Sequence, residues 1–295
     1  MGLDFIYDTP TAILLFIFIL VFLALALIGL FIFILFTEDG FSKKLNDSNT
    51  STYISTIATA MAIIIAFVIT DEYNIFNTTS LNLAREANAL YTLFGILGSF
   101  NTPESTDAIE ILIQYLCSIV NIEFLLMEQG ILPSENQCLI NLQLSILTLE
   151  PTNAKQAVLF DKALDQLNLS INLRNYRLEQ TVSSLPPEFY WLLIIGVSIL
   201  IVLTWFITGA LIYRIIMTSF ITIVYATLFF LVVILDNPFK GYFSLNSDPF
   251  QLVLSEIGVK KCPKEGCVPL TIEQLKSFRN KISGFNKNFN DIKLS

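Results

Sequence analysis

An uncharged run from Thr11 to Phe36, "TAILLFIFILVFLALALIGLFIFILF", limits what this chain can become. Roughly 20 apolar residues cross the hydrocarbon core of a bilayer, so a run of this length spans it with a tilt or reaches past the interface. It is too long for the core of a signal peptide, and its leader "MGLDFIYD" is acidic where a signal peptide is basic. Ile6 stands where a myristoylation signal needs Ser or Thr.

Three further runs follow. "YISTIATAMAIIIAFVIT", Tyr53 to Thr70, is shorter and less greasy, and Ser55, Thr59, Ala62 and Ala66 recur on one helical face. Small residues on a face let helices approach closely or leave room for a pathway. "FYWLLIIGVSILIVLTWFITGALIY" runs from Phe189 to Tyr213, with Pro186 and Pro187 suited to a first turn and Tyr190, Trp191 and Tyr213 suited to an interfacial aromatic belt. "IIMTSFITIVYATLFFLVVIL", Ile215 to Leu235, is the fourth, and the turn at Arg214 is so short that the last two spans form an antiparallel hairpin.

Composition agrees. The chain is 54% hydrophobic and 14% charged, against roughly 45–50% and 25% in soluble domains. It contains no histidine, which removes the commonest general base and metal ligand and every triad that needs one. No mid-membrane carboxylate compensates, so an enzyme is not expected. The net charge of −8 lacks the basic footprint of a nucleic-acid binder. Of the four cysteines, Cys117, Cys138, Cys262 and Cys267, the last two sit in "CPKEGC". They could close a local disulfide in an oxidising compartment or stay free thiols in a cytoplasmic tail. A zinc site would have to recruit the distant cysteines. No cofactor is expected.

Residues 71–188 read as long extramembrane helices. Thr78 or Thr79 could cap one through "SLNLAREANALYTLFGILGSF", and Thr102 before Pro103 signals another. Ala108 to Met127 is apolar enough to cross a membrane, but Glu110, Gln114, Asn121 and Glu123 make that costly, so the segment reads as a helix buried on several faces. A helix over Gln137–Leu149 and a long one over Asn153–Ser183 follow. In the latter Phe160, Leu164, Leu167, Ile171 and Leu178 mark an apolar stripe. No strand alternation is convincing. The expectation is an all-α integral membrane protein with four transmembrane helices and a helical extramembrane domain. Its segments are 1–70 with the first two spans, 71–188, the hairpin 189–235, and 236–295 with one tail helix over Thr271–Ser283. Four spans put the N-terminus, residues 71–188 and the tail on one side. Lys43, Lys44 and Arg214 lie on the other side, against Arg85, Arg174, Arg177 and Lys240 near the large segments. Four against three is close to a tie under the positive-inside rule.

The fourth span stops on "LDNPFKGYFSLNSDPF". Asp236 can cap or stop the helix, Asn237 and Pro238 turn the chain, Phe239 can tuck back into the apolar layer, and Gly241 permits a backbone shape other residues resist.

That stretch, together with "LAREANALYTL", "IQYLCSIVNIEF" and "LRNYRLEQTVSSLPPEFYW" in the same order, resembles the bestrophin-like family of bacterial and plant membrane proteins, grouped with the bestrophin anion channels. The resemblance covers roughly residues 57–254. Family members often carry Trp after the Glu that Glu123 matches, and here it is Phe124. The resemblance implies four spans, a cytoplasmic helical domain and a central pore lined by the second span of each subunit. It therefore implies a homo-oligomer, pentameric by analogy with a tetramer also open, in the inner membrane of a bacterium. Thr56, Thr59 and Ala60 would line the wider part of the pore, and Ile63, Ile64 and Phe67 a constriction that gates by dewetting. Arg85, or Arg174 and Arg177, could concentrate anions at the mouth, or could pair with Glu86 and Glu179. Asp236 and Asp248 would be calcium candidates by the same likeness, although their spacing is no EF-hand loop. The alternative is a non-conducting scaffold or signalling protein whose helical domain binds a partner.

Overall fold

The computed structural model describes residues 11–36, 48–206, 210–241, 243–259 and 262. Among these, all regular secondary structure is helical, as the sequence leads one to expect. The expected tail helix over Thr271–Ser283, and Lys43, Lys44 and Cys267, lie outside the described residues. The chain divides into two compact units, Met1–Thr78 with Ser183–Ser244, and Thr79–Val182 with Leu245–Ser295.

Helix α1, Thr11–Phe36, is the first apolar run. Helix α2, Ser48–Phe100, is 53 residues long and contributes to both units. The expected break and cap at Thr78 or Thr79 are therefore absent. No glycine or proline occurs between Ser48 and Phe94, and Thr79 is buried as a core residue. An uninterrupted helix loses no backbone hydrogen bond there.

In the second unit the order is α3 Pro103–Ser118, a π turn over Ile119–Glu123, α4 Phe124–Glu128, α5 Gln137–Leu147 and α6 Ala154–Val182. The hairpin helices α7 Pro187–Trp205 and α8 Leu211–Leu235 belong to the first unit, and α9 Asp248–Glu256 to the second. The sequence predicts a third apolar helix reaching Tyr213, with Arg214 in the turn. Instead α7 closes at Trp205, where the Phe206 N–H donates to the Leu203 carbonyl. Ala210 is extended (ψ 144°), so Tyr213 and Arg214 fall in the first turn of α8.

The first unit is held by Met61, Ile65 and Val68 of α2 against Leu193, Val197 and Leu200 of α7 and Tyr225 and Val232 of α8. Gly196 lies at this approach, where a Cβ would come 2.3 Å from the end of the Met61 side chain and make that side chain shift. The Tyr225 hydroxyl donates to the Ala58 carbonyl at 3.1 Å, and the Thr204 and Thr218 hydroxyls pair at 2.9 Å in the buried α7–α8 contact. Helix α1 leans on α8 through aromatic contacts, Phe18 lying 5.9 Å from Phe229 and 5.6 Å from Phe230 between ring centroids.

The second unit starts α3 on the expected signal. Thr102 Oγ1 accepts from the Ser105 N–H at 3.2 Å, and Ser105 Oγ accepts from the Thr102 N–H at 3.1 Å, a reciprocal cap ahead of Pro103. Leu90, Leu93, Leu97, Leu112, Leu116, Leu142 and Ile146 are fully buried. The buried face of α6 differs from the expected stripe. Leu167 is on it, but its other members include Ala163, Ser170, Arg174, Arg177 and Thr181. Phe160, Leu164, Ile171 and Leu178 are only half-buried. Hydrophobic periodicity points to the wrong centre because two arginines occupy the core.

Five stretches, Thr11–Phe36, Thr52–Phe100, Pro103–Glu128, Pro187–Trp205 and Leu211–Leu235, are long and apolar enough to cross a membrane by length and composition.

Candidate functional site

The apolar first half of α2 has two unlike faces. Met61, Ile65 and Val68 point into the core of the first unit, while Thr56, Thr59, Ala60, Ile63 and Phe67 form an exposed stripe. Their spacing of three and four residues keeps them on one side of a 3.6-residue turn. Phe67 is 73% exposed and Ile63 52%. Ile64 departs from the expected set: it is half-buried and packs on the core cluster, at the edge of the stripe. Ser55, Ala62 and Ala66 are also exposed. The small residues that could have served packing inside the subunit are thus left free, and Gly196 of α7 provides the close approach instead. The stripe carries no charge. Its hydroxyls are turned onto their own helix, Thr56 to the Thr52 carbonyl, Thr59 to Ser55 and Thr70 to Ala66, each at 2.8 Å, a common resting arrangement for Thr in a helix.

Beyond Thr70 the same helix carries Asp71 and Glu72. Glu72 is buried, and burial, then the nearby charges of Asp236 and Asp71, push its carboxyl up to about 7. Asp236 ends α8, where a carboxylate faces the negative end of the helix dipole. Donors offset that cost: the Leu185 N–H reaches one oxygen, and the Tyr190 hydroxyl (2.8 Å) and the Asn237 amide (3.2 Å) reach the other. Asp236 therefore ties the start of α7 to the end of α8. In the exit turn that follows, Phe239 is buried, the Lys240 N–H donates to the Asn237 carbonyl, and Gly241 has φ +89°. Phe76 and Phe243 stack at 5.3 Å.

Calcium does not fit these residues. Both Asp236 oxygens already accept from protein donors, Asp248 is an exposed residue of the first turn of α9, and no group of three His, Cys, Asp or Glu suited to a metal occurs among the described residues.

Arg174 and Arg177 are not exposed cations. Both are buried on α6, Arg177 at 1% exposure. Arg177 forks onto both oxygens of Glu86 at 2.9 Å and reaches Glu123 at 2.7 Å, while Arg174 reaches the other Glu123 oxygen at 2.7 Å. Asn136 adds a third donor to that oxygen, also at 2.7 Å. The guanidinium of Arg177 lies over the rings of Phe124 and Phe250, 5.3 and 5.6 Å from their centroids. Pairing with Glu86 is thus the role of Arg177, whereas Glu179 is exposed and forms no ion pair among the described residues. The π turn aims Glu123 inward. Burial alone would raise Glu123, but Arg177 and Arg174 together outweigh it and hold the carboxyl below the usual range. For Glu86 burial prevails over the Arg177 pair and the carboxyl is pushed up. Two carboxylates face two guanidiniums, so the cluster is neutral as a whole. Arg85, by contrast, is exposed and hydrogen-bonds Asn82 at 3.4 Å.

The cysteines pair over long range. Cys117 on α3 is bonded to Cys262, 145 residues away, and Cys138 is also disulfide-bonded. The local Cys262–Cys267 bridge and the free-thiol reading of Cys262 are both overturned. Spacing within "CPKEGC" could not reveal this, since connectivity depends on the fold.

Comparison with known proteins agrees with this architecture. The sequence model described as Bestrophin-like domain matches residues 20–250. A crystal structure of a bacterial bestrophin homologue from Klebsiella pneumoniae, solved by zinc phasing, is 16% identical, with TM-score 0.63 over 83% of this chain and 99% of that one. A point variant of that homologue gives 17% identity and TM-score 0.64, again over 83% and 99%. A variant described only as a membrane protein gives 15% and 0.62 over 83% and 98%. At such identities the likeness concerns the fold. No curated protein matches by sequence.

Proposed function

Since the chain belongs to the bestrophin-like family, we propose that it assembles as a homo-oligomeric ion channel, selective for anions, with α2 of each subunit lining a central pore. The observation that carries this reading is the uncharged stripe Thr56, Thr59, Ala60, Ile63 and Phe67, exposed along a helix whose opposite face is the subunit core. A closed ring of identical subunits turns such a stripe toward its axis. Five subunits are assigned by analogy with bestrophins. Ile63 and Phe67 form the apolar constriction, gated by dewetting, and Ile64 backs it from the core side. Of the three candidate arginines, Arg85 is the exposed one and is available to attract anions. Arg174 and Arg177 serve the helical unit.

The spans are α1, the part of α2 up to Thr70, α7 and α8. Pro103–Glu128 stays out of the bilayer because its Glu123 is committed to two arginines and an amide within the helical unit. The membrane is the inner membrane of a bacterium.

The test is flux through purified protein in liposomes. Chloride efflux above protein-free vesicles is expected, with a rise on Phe67→Ala or Ile63→Ala as the constriction widens. Absence of flux for the native chain and for both variants would sink the proposal.

A further inference from the structure

The spanning helices of the first unit leave an apolar cleft between them, away from the exposed stripe of α2. We propose that this cleft holds an acyl chain of an anionic phospholipid whose phosphate is bound by Arg214. The proposal rests on the four-span reading above and is independent of whether the pore conducts.

The cleft has a volume of about 350 Å³ and lies between α1, α7 and α8, at the lower end of the range for small-molecule sites. Ala26 of α1, Val197 and Trp205 of α7 and Phe229 of α8 form its walls. Ile194 and Val202 also line it, and they are 41% and 38% exposed, so it opens on the outer face of α7. The Tyr225 hydroxyl at its wall is committed to the Ala58 carbonyl. A trapped water needs several polar partners, and these walls do not supply them. The medium at the mouth is the hydrocarbon of the bilayer. A flexible acyl chain entering the cleft gains the dispersion contacts that its walls otherwise forfeit.

The end of the cleft at Trp205 has a different character. The Trp205 ring lies against α1 at Gly29, where a Cβ would come 2.5 Å from the ring and make it shift. The Trp205 carbonyl accepts from the Arg214 guanidinium, which lies 5.9 Å from the centroid of the Phe33 ring. These residues gather where α1 and α7 end and α8 begins, the depth at which Trp and Arg meet lipid head groups. Trp205 Nε1 and Arg214 Nε have no hydrogen-bond partner among the described residues, and buried donors rarely stay unpaired. A guanidinium carries several N–H groups, and a phosphate brings both the acceptor oxygens and the opposite charge. The described carboxylates of this unit, Asp71, Glu72, Glu188 and Asp236, all belong to the other ends of the helices. None of them competes for Arg214. An anionic head group is favoured over a zwitterionic one, whose own cation would be repelled by Arg214. Basic positions between spanning helices select anionic lipids in this way.

The chain contains two tryptophans, Trp191 and Trp205. Trp191 is 63% exposed, so Trp191→Phe leaves Trp205 as the sole indole fluorophore at little consequence for folding. The full-length variant, purified in a neutral detergent, is titrated with phosphatidylglycerol brominated on its acyl chains, a contact quencher of tryptophan. Saturable quenching is expected, reversed by unbrominated phosphatidylglycerol. Glycerol phosphate has the anion without the chains and should not reverse it; reversal would overturn the lipid in favour of a free phosphate ester. Brominated phosphatidylcholine should bind roughly fivefold more weakly, and Arg214→Gln should remove that preference. Ser198→Phe, at an exposed position that lines the cleft, should weaken quenching by both lipids. Equal binding of the two lipids with Arg214 intact overturns the phosphate contact. Absence of saturable quenching overturns the whole proposal and means that protein, such as a second copy of this chain, closes the cleft. If Arg214→Gln or Ser198→Phe fails to accumulate, the comparison of the two lipids and the competition with glycerol phosphate, which need neither, decide.

Discussion

The exposed stripe of α2 and the charged core around Arg177 handle polarity in opposite ways. In the stripe, Ile63 and Phe67 are exposed, and the threonine hydroxyls are satisfied by their own helix. In the core, each charge has a partner: Arg177 alone engages Glu86, Glu123, Met127 and two aromatic rings. A side chain in the first region is available for function with little consequence for folding. One in the second is committed to the fold. Substitutions in the two regions should therefore separate stability from conduction.

The largest stability loss is expected from Arg177→Ala. It leaves Glu86 without its bidentate partner in a buried site and Glu123 with one guanidinium fewer. Breaking one side of a buried pair costs about 3–5 kcal/mol, which should reduce the oligomer peak on size-exclusion chromatography in detergent. Glu86→Gln should cost less than Arg177→Ala, because Arg177 keeps its pair with Glu123 in the first variant, whereas the second deprives both carboxylates of a guanidinium. Thermal unfolding of the two variants in detergent checks the ranking; equal losses would mean that the Arg177–Glu86 pair alone carries the contribution of Arg177.

Part of this contrast can be read in the sequence. The apolar helices, the cap at Thr102 and the shape of the exit turn follow from local rules, since apolar length, capping residues and a glycine at positive φ act within a few positions. The choice of α2 as the helix with a functional face comes from the resemblance. The ion cluster does not, because Glu86, Glu123 and Arg177 meet only after three helical segments have packed. Its sole local sign is a pair of arginines on a helix with a weak apolar stripe. The continuity of α2 escapes the sequence for another reason. Thr78 and Thr79 are good capping residues, but a cap acts only where the helix is already interrupted. Glu72 reads in the sequence as one of several acids near an apolar run, and only its burial beside Asp236 sets it apart.

Glu72 tests the boundary between the two regimes. Its carboxyl titrates near 7 in the folded protein against 4.5 for a free side chain. The folded state therefore binds the extra proton between these values. The contribution of Glu72 to stability is greatest below about 4.5, falls as pH rises towards 7, and is flat above. Glu72→Gln removes the slope. The variant should match the native protein near the acid end and exceed it at about pH 8 by roughly 1–3 kcal/mol. Melting curves at the two ends of the window provide the measurement. A native protein whose stability rises with pH across it would show that Glu72 is ionised when folded.

Thr102→Ala should cost about 1 kcal/mol, the usual value of an N-cap. It removes the acceptor for the Ser105 N–H but leaves Ser105 able to receive the residue 102 N–H. Denaturant unfolding should show a lower midpoint and unchanged flux from the protein that remains folded.

The smallest effect on folding belongs to Phe67→Ala, and there the comparison is at its sharpest. Truncating a core Phe costs about 3–5 kcal/mol, but Phe67 contributes little to the subunit core. Its removal should change the melting temperature of the subunit fold by no more than a surface substitution, within about 0.5 kcal/mol, while flux rises. The paired control is Ile65→Ala, two residues away on the buried face. It should lose about 2–5 kcal/mol, with no comparable rise in flux per folded oligomer. If Phe67→Ala is instead as destabilising as Ile65→Ala and flux is unchanged, the stripe is a packing surface between subunits, and the conducting path lies elsewhere.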